Sequence, residues 1–553
     1  MIGIDGAAPD MVERLTSTDR MPTLRMLMRH GVYGRLESSA NCSPASAWSS
    51  VLTGVNPGKH GVWDLQMLVP GTYEWQPAHS RLLRAPTLPQ LLTDRGLEAG
   101  TVLVPMTFPA REAEWTTVAG WLAPSVDAEG FAHPRRVATM AARRLQDVPL
   151  LPRLESFARS GHYGAGIEVA LEALQAKAKL ARELLGDRRW DMLAVNFTEL
   201  DPIQRWYWHL NDRRHPEHRE ELMTRHGELI ADAYVVVDAA VRDLIDALEP
   251  SDHLLVVAPY GMTLNSRAPA CVPDVMSHLE LLVTRSSAGG AWHRLMSAMA
   301  DASDGALRAL RGVLPGGLAD LLPEPMDAGE AGRRADGDPW IDYQRSWVLP
   351  APGGHLFLNT EAEFPLGIVP SGMLDSLLMN IISKLQTGID PATGRQPLQW
   401  AQRRQEVFSG PYLSRIPHLV IRWQDRGVVT GLTVTGRDGR VQVARPSGPT
   451  MPGGAPGPEG VLIAAGAGVR RGVRVEGAGV EDVAATVMHL CGQRVPAYFD
   501  GRVLEEALTP DFLEEHPVRV LDRELPKVIE DPIRIEQASR VVRDHLRDLG
   551  YWR

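Results

Sequence analysis

The stretch Leu254–Met262, Leu-Leu-Val-Val-Ala-Pro-Tyr-Gly-Met, constrains the fold more than any other part of the chain. A β-branched apolar run stops abruptly at Pro259. A strand with one wet face would alternate apolar and polar residues, so this run reads as a strand buried on both faces of a parallel sheet. In open α/β sheets, ligands sit beyond the carboxyl ends of such strands. Function is therefore expected around Pro259, Tyr260 and Gly261, although a ring, a phenol and a glycine are unusual groups for chemistry.

Other segments repeat the pattern. Ile2–Ile4 is a short strand ended by Asp5-Gly6, and Ala99–Val104 and Val461–Gly466 are buried strands. Trp190–Phe197 is a strong strand with Thr198-Glu-Leu-Asp201 just past its end. Helical spacing marks Met21–His30, Thr87–Arg95, Ala165–Gly186, Glu220–Leu248 and Glu481–Leu490. Ser43-Pro44 is an N-cap and first-turn pair, opening a helix whose apolar face carries Trp48, Val51 and Leu52. Strands alternating with helices predict an α/β fold with a doubly wound, mostly parallel sheet.

Two stretches interrupt the alternation. Residues 105–165, rich in Pro, Trp and Arg, are expected to form an insertion covering one edge of the sheet. Residues 263–345 hold helix-like pieces (Ala291–Met299 and Ala306–Val313) and are expected to form a cap. Sheet-like patterning resumes at Ser346–Leu349. The expected organisation is a core from 1–262 and 346–510, the cap between them, and a tail from 511–553 with an amphipathic helix starting at Asp531-Pro532 and closed by Gly550.

The formal net charge of -10 argues against a nucleic-acid partner, which would call for a basic face. Cys42, Cys271 and Cys491 are far apart and suggest neither a disulfide framework nor a zinc site. No run of eighteen apolar residues and no secretory leader pattern is present, so a cytoplasmic location without a membrane partner is expected.

Several stretches together resemble the type I phosphodiesterase/nucleotide pyrophosphatase branch of the alkaline phosphatase superfamily. They are Ile2–Gly6, Trp48–Gly54 with Asn56-Pro-Gly-Lys-His-Gly61, Val104–Pro109, Phe197–Asp201, Gly460–Gly466, Asp500–Leu504 and Leu546–Tyr551. The resemblance implies an alkaline-phosphatase-like sheet. It also implies two metal ions, usually zinc, held by Asp and His at strand ends, with a Ser or Thr nucleophile at a helix N-terminus.

Carried over residue by residue, that site is incomplete. Asp5 and Asp201 match two metal ligands. Where the family has His four residues after the second Asp, this chain has Arg205. Where it has an Asp-His pair, this chain has Pro259-Tyr260, and the late His corresponds to Pro456. The nucleophile position falls on Pro44, with Ser43 one place early. Ser251-Asp252-His253 mimics the lost pair but precedes the strand, so it should face the opposite sheet edge.

The candidate catalytic residues are therefore Ser43, Asp5, Asp201, Arg205 and Tyr260. Arg205, Tyr260, His60 and His209 are candidate ligand-binding residues, and Asp5 and Asp201 vestigial metal ligands. His60, His209, His355 and His418 each also have a structural reading, and Ser43's cap role would explain it alone. Arg205, one helical turn from Asp201, either pairs with that carboxylate or supplies fixed positive charge to an anion where a metal stood.

Three readings follow. The first is a protein that has lost two-metal hydrolysis, needs no cofactor and binds a small anionic ligand or a protein partner. The second is an active phosphodiesterase or phosphatase with a single or rearranged zinc or manganese site. The third is a remodelled metal-independent enzyme acting on a phosphorylated or other anionic small molecule.

Overall fold

The computed structural model describes residues 1–110, 115–285, 338, 341–436, 439–447, 452–528, 531–549 and 552. Within the run that opened the sequence reading, Leu254–Ala258 is a strand with every residue buried. Leu254 and Val256 face one apolar layer, whereas Leu255 and Val257 face another. This two-sided burial is why the segment carries no polar residue.

The described residues build a nine-stranded sheet from β1 (Ile2–Ile4), β2 (Val32–Glu37), β3 (Ala99–Val104), β4 (Thr116–Ala119), β5 (Ala132–His133), β6 (Met192–Phe197), β7 (Leu254–Ala258), β8 (Glu459–Ala465) and β9 (Val473–Gly479). Its order is β9-β2-β8-β7-β1-β6-β3-β4-β5. β1 is central and pairs in parallel with both β6 and β7. β8 runs antiparallel to its neighbours β7 and β2, and β5 runs antiparallel to β4. The sheet is mixed, with a parallel centre.

Helices cover both faces. On one lie α2 (Tyr163–Leu185) and α4 (Leu229–Ile245), through Leu174, Leu180, Val237 and Val241. On the other lies α1 (Pro44–Thr53), through Trp48, Val51 and Leu52. Between β6 and α4 runs α3 (Leu200–Tyr207). Among the described residues, no helix is long and apolar enough to cross a membrane.

Two expectations about organisation are corrected. Residues 105–165 do more than cover an edge, because β4 and β5 extend the sheet itself, followed by helices Arg135–Leu145 and Glu155–Ser160. The segment after 346 does not rejoin the core. Val348–Pro350, Leu356–Leu358, Leu419–Trp423 and Leu398–Arg403 form, in that order, a separate antiparallel four-stranded sheet. Helix Leu374–Thr387 and the hairpin of Leu432–Thr435 with Val441–Ala444 pack on it around their own apolar cluster. The cap therefore continues to about residue 453, and β8 is where the core sheet resumes. The chain leaves and returns through one ribbon, Met262–Leu264 paired antiparallel with Gly454–Pro456. Ala291–Met299, Ala306–Val313 and Gly550 lie outside the described residues.

Candidate functional site

The three central parallel strands end side by side. Asp5 follows β1, Thr198 follows β6, and Pro259-Tyr260 follows β7. Gly6 turns the chain away from Asp5 with φ +76°, and a Cβ there would stand 3.1 Å from the Asp201 Cα. Only glycine meets both conditions without strain. The ends of β6 and β7 face a cleft of about 560 Å³ between core and cap, lined by Ser43, Asp64, Asp201, Arg205 and Tyr260 from the core and by His355 and Arg422 from the cap, whereas Asp5, expected to face the same cleft, is buried and not in its lining.

Asp5 is fully buried. Its Oδ1 accepts from Trp48 Nε1 at 2.7 Å and its Oδ2 from Asn196 Nδ2 at 3.1 Å. Burial raises its pKa to about 7, and the Asp201 charge pushes the same way, while the Trp48, Asn196 and Thr198 hydrogen bonds oppose the rise. Asp201, on the first turn of α3, is gripped by Arg205, with Nε to Oδ1 at 2.9 Å and Nη2 to Oδ2 at 3.1 Å. The Tyr260 hydroxyl donates to the same carboxylate, and burial holds that phenol well above its ordinary range. The structure thus places the side chains of Asp5, Asp201, Arg205 and Tyr260 near one another.

Ser43 also lines the cleft, but not as a helix cap. It occupies the N-cap position of α1 without a side-chain capping bond, and its hydroxyl donates to Asp64 Oδ1 at 2.9 Å. Burial raises the Asp64 carboxyl to about 6, opposed by the Leu65 N–H and the Ser43 hydroxyl. Just upstream, Cys42 takes a left-handed φ of 54°, a costly conformation for a residue with a Cβ. Asn41 braces this loop, its amide donating to the Trp63 carbonyl and accepting from Ser39 Oγ at 3.0 Å.

His60 and His209 are corrected as ligand-binding candidates, because neither lines the cleft. His60 is buried, lies 3.2 Å from Ser50 Oγ and accepts the Val62 N–H on Nδ1. Desolvation drops it to about 3, so it is a neutral ring holding its turn. His209 is buried against the Tyr163 hydroxyl at 3.1 Å and falls to about 4, chiefly through desolvation. His355 and His418 accept the backbone N–H groups of Ile421 and Leu358, a structural use for each. His253, at the start of β7, bonds the Ala467 carbonyl and lines a separate hollow at the opposite sheet edge, with Ser251 and Asp252.

The residues present do not fit a pair of metal ions. The Asp201 oxygens are held by Arg205, and those of Asp5 by Trp48 and Asn196. Pro259 and Pro456 offer no side-chain ligand atom, and Pro456 is instead paired with Met262 in the ribbon. Among the described residues, no group of three or more His, Cys, Asp or Glu could hold a metal.

The sequence reading missed Trp48, Asn196, Thr198, Asp64 and Arg422. Arg422 comes from the cap strand Leu419–Trp423 and reaches across to the core, donating to the Ser39 and Ala40 carbonyls at 3.4 and 3.1 Å. It stacks on Trp400, and its Nε is buried without a hydrogen-bond partner. Among the described residues no carboxylate forms an ion pair with it. Nothing local in the sequence distinguishes it from a surface arginine.

A sequence model of the type I phosphodiesterase/nucleotide pyrophosphatase family matches residues 1–311, more than half of the chain, and the protein belongs to that family. Phosphonoacetate hydrolase from Sinorhizobium meliloti 1021, solved with phosphonoacetate, is similar over 89% of this chain and 95% of its own, at 16% identity and a TM-score of 0.49. Murine ectonucleotide pyrophosphatase/phosphodiesterase 5 is similar over 92% of this chain and 99% of its own, at 10% identity and a TM-score of 0.44. A comparison with curated proteins gives no match.

Proposed function

We propose that this family member no longer performs two-metal phosphoester hydrolysis and that its cleft binds a small anionic ligand. The observation that carries this reading is the two-point grip of Arg205 on Asp201. A guanidinium satisfies the carboxylate that a metal would need and supplies a fixed cation in its stead. With Tyr260 on the same carboxylate, little is left for a metal to bind.

Arg205 is committed to Asp201, so the ligand needs another cation. Arg422 supplies it, since its partners are neutral carbonyls and an aromatic face, and its charge is free to act on the cleft. The ligand class is a phosphate, sulfate or carboxylate.

Two measurements test this. Purified protein should carry almost no zinc or manganese by elemental analysis, and added zinc should not produce turnover of bis(p-nitrophenyl) phosphate. About two equivalents of bound zinc with turnover would restore the two-metal reading. In calorimetry, inorganic phosphate or pyrophosphate should bind the wild type, and Arg422→Gln should weaken that binding about tenfold or more, the worth of a charge-assisted hydrogen bond. Equal affinities, or no binding to the wild type, would remove Arg422 from the site.

A further inference from the structure

Among the described residues, the charged side chains that line the cleft are Asp64, Asp201, Asp425, Arg205, Arg422 and Arg426. Asp201 and Arg205 neutralise each other. Asp425 is exposed, accepts from Thr263 Oγ1 at 2.6 Å and feels the Arg214 charge. Arg426 is exposed, and water screens it. His355 falls to about 3, chiefly through burial, and stays neutral. Asp64 and Arg422 remain. Among the described residues the hydrogen bonds to Asp64, from Ser43 Oγ at 2.9 Å and the Leu65 N–H at 2.6 Å, both fall on Oδ1. No basic side chain among them acts on that carboxyl.

One loop holds both groups. Arg422 donates to the Ser39 and Ala40 carbonyls, Asn41 donates to the Trp63 carbonyl beside Asp64, and Ser43 holds Asp64 itself. From Ala40 to Ser43 the chain can reach at most about 11 Å. A turn closed by the Cys42 N–H on the Ser39 carbonyl, at 2.8 Å, shortens that span. The Cys42 thiol, next to Ser43, feels the Arg422 charge. A carboxylate and a guanidinium thus line one cavity across the length of a small molecule, and among the described residues neither has a counter-ion. Unpaired charges withdrawn from water are costly, and a ligand with matching charges offsets that cost at both ends.

We propose that the ligand of this cleft is a small zwitterion, an ammonium joined through a short linker to a phosphate. The phosphate takes the Arg422 guanidinium. The ammonium, with three donors and no acceptor, donates to Asp64 Oδ2 and Ser43 Oγ. A ligand that is anionic at both ends would meet Asp64 as a like charge. An uncharged ligand would leave Arg422 without a counter-ion. This pairing rests on the anion site at Arg422 proposed above and names the other half of the ligand.

Calorimetry on the full chain at pH 7.5 compares 2-aminoethyl phosphate with ethyl phosphate, which share the phosphate and differ in the ammonium. The wild type should bind the zwitterion about tenfold more tightly, or better. In Asp64→Asn, with a melting curve to report that the chain is folded, that preference should disappear. Equal binding of the two compounds to the wild type would overturn the zwitterion and leave the anion site standing, whether or not the variant folds. A preference that survives in folded Asp64→Asn would overturn the assignment of the ammonium to Asp64. Failure of both compounds to bind would remove the anion site and this proposal with it.

Discussion

Lys177→Met should destabilise the protein by about 3–5 kcal/mol, read as a shift in the urea or thermal unfolding midpoint. Lys177 sits on α2, almost fully buried, with its ammonium 2.5 Å from Glu199 Oε1 and 2.7 Å from the Leu150 carbonyl. Glu199 is equally buried. A well-packed apolar pair would serve stability as well as this ion pair does, but removal of one partner leaves an uncompensated charge in a low-dielectric interior. The double variant Lys177→Met/Glu199→Gln should therefore recover most of the loss. Glu199 immediately precedes α3, two residues before Asp201, so this buried pair anchors the turn that delivers Asp201 and Arg205 to the cleft. A loss below about 1 kcal/mol for Lys177→Met would mean that water reaches Glu199.

Asp5→Asn should stabilise the protein at pH 8 by about 2–4 kcal/mol and leave it nearly unchanged at pH 4. In the folded chain the Asp5 carboxyl titrates at about 7, against an ordinary value of 3.8. The folded state holds this proton more tightly than the unfolded state does. Its contribution is thus most favourable below pH 4, declines as pH rises, and levels off above about 7. The gap corresponds to about 4 kcal/mol at full ionisation. Asparagine stays neutral and escapes the decline, although one of its amide groups must suit donors that now serve a carboxylate. The Asn196 Oδ1, buried without a partner, can accept an N–H if that side chain turns. Melting curves from pH 4.5 to 8.5 should fall more steeply for the wild type than for the variant. Residual slope is expected from Glu481 and Asp64, whose carboxyls burial raises to about 7 and about 6. A variant whose stability falls as steeply with pH as that of the wild type would remove Asp5 as the source of the decline.

The sequence was most informative where chemistry and strand geometry coincide. Leu254–Ala258 announces itself because two-sided burial excludes polar residues, and the residues just past it and past Phe197 had to meet. Asp201 and Arg205 were legible as a pair because four residues span one helical turn. Asp64 was not, because its partnership with Ser43 crosses 21 residues of helix and loop, with no periodicity to follow. Trp48 was readable as a core residue, but not as a donor to Asp5, since its indole ring serves both roles at once. His60 and His209 stayed open between a ligand-binding and a structural reading because a histidine in a turn or on a helix looks the same whether it faces a ligand or a neighbouring polar group. The cap strands after residue 346 were seen as strands and assigned to the wrong sheet. A period of two reports a strand's faces but not its neighbours.

The ribbon of Met262–Leu264 and Gly454–Pro456 has a wider consequence. A segment whose two ends leave a scaffold side by side can be lengthened, trimmed or exchanged without re-registering the strands beneath it. The core acts as a socket, with one narrow neck carrying everything grafted above. Arg422 belongs to the graft and Asp201 with Arg205 to the socket, so the two walls of the cleft can diverge in evolution independently.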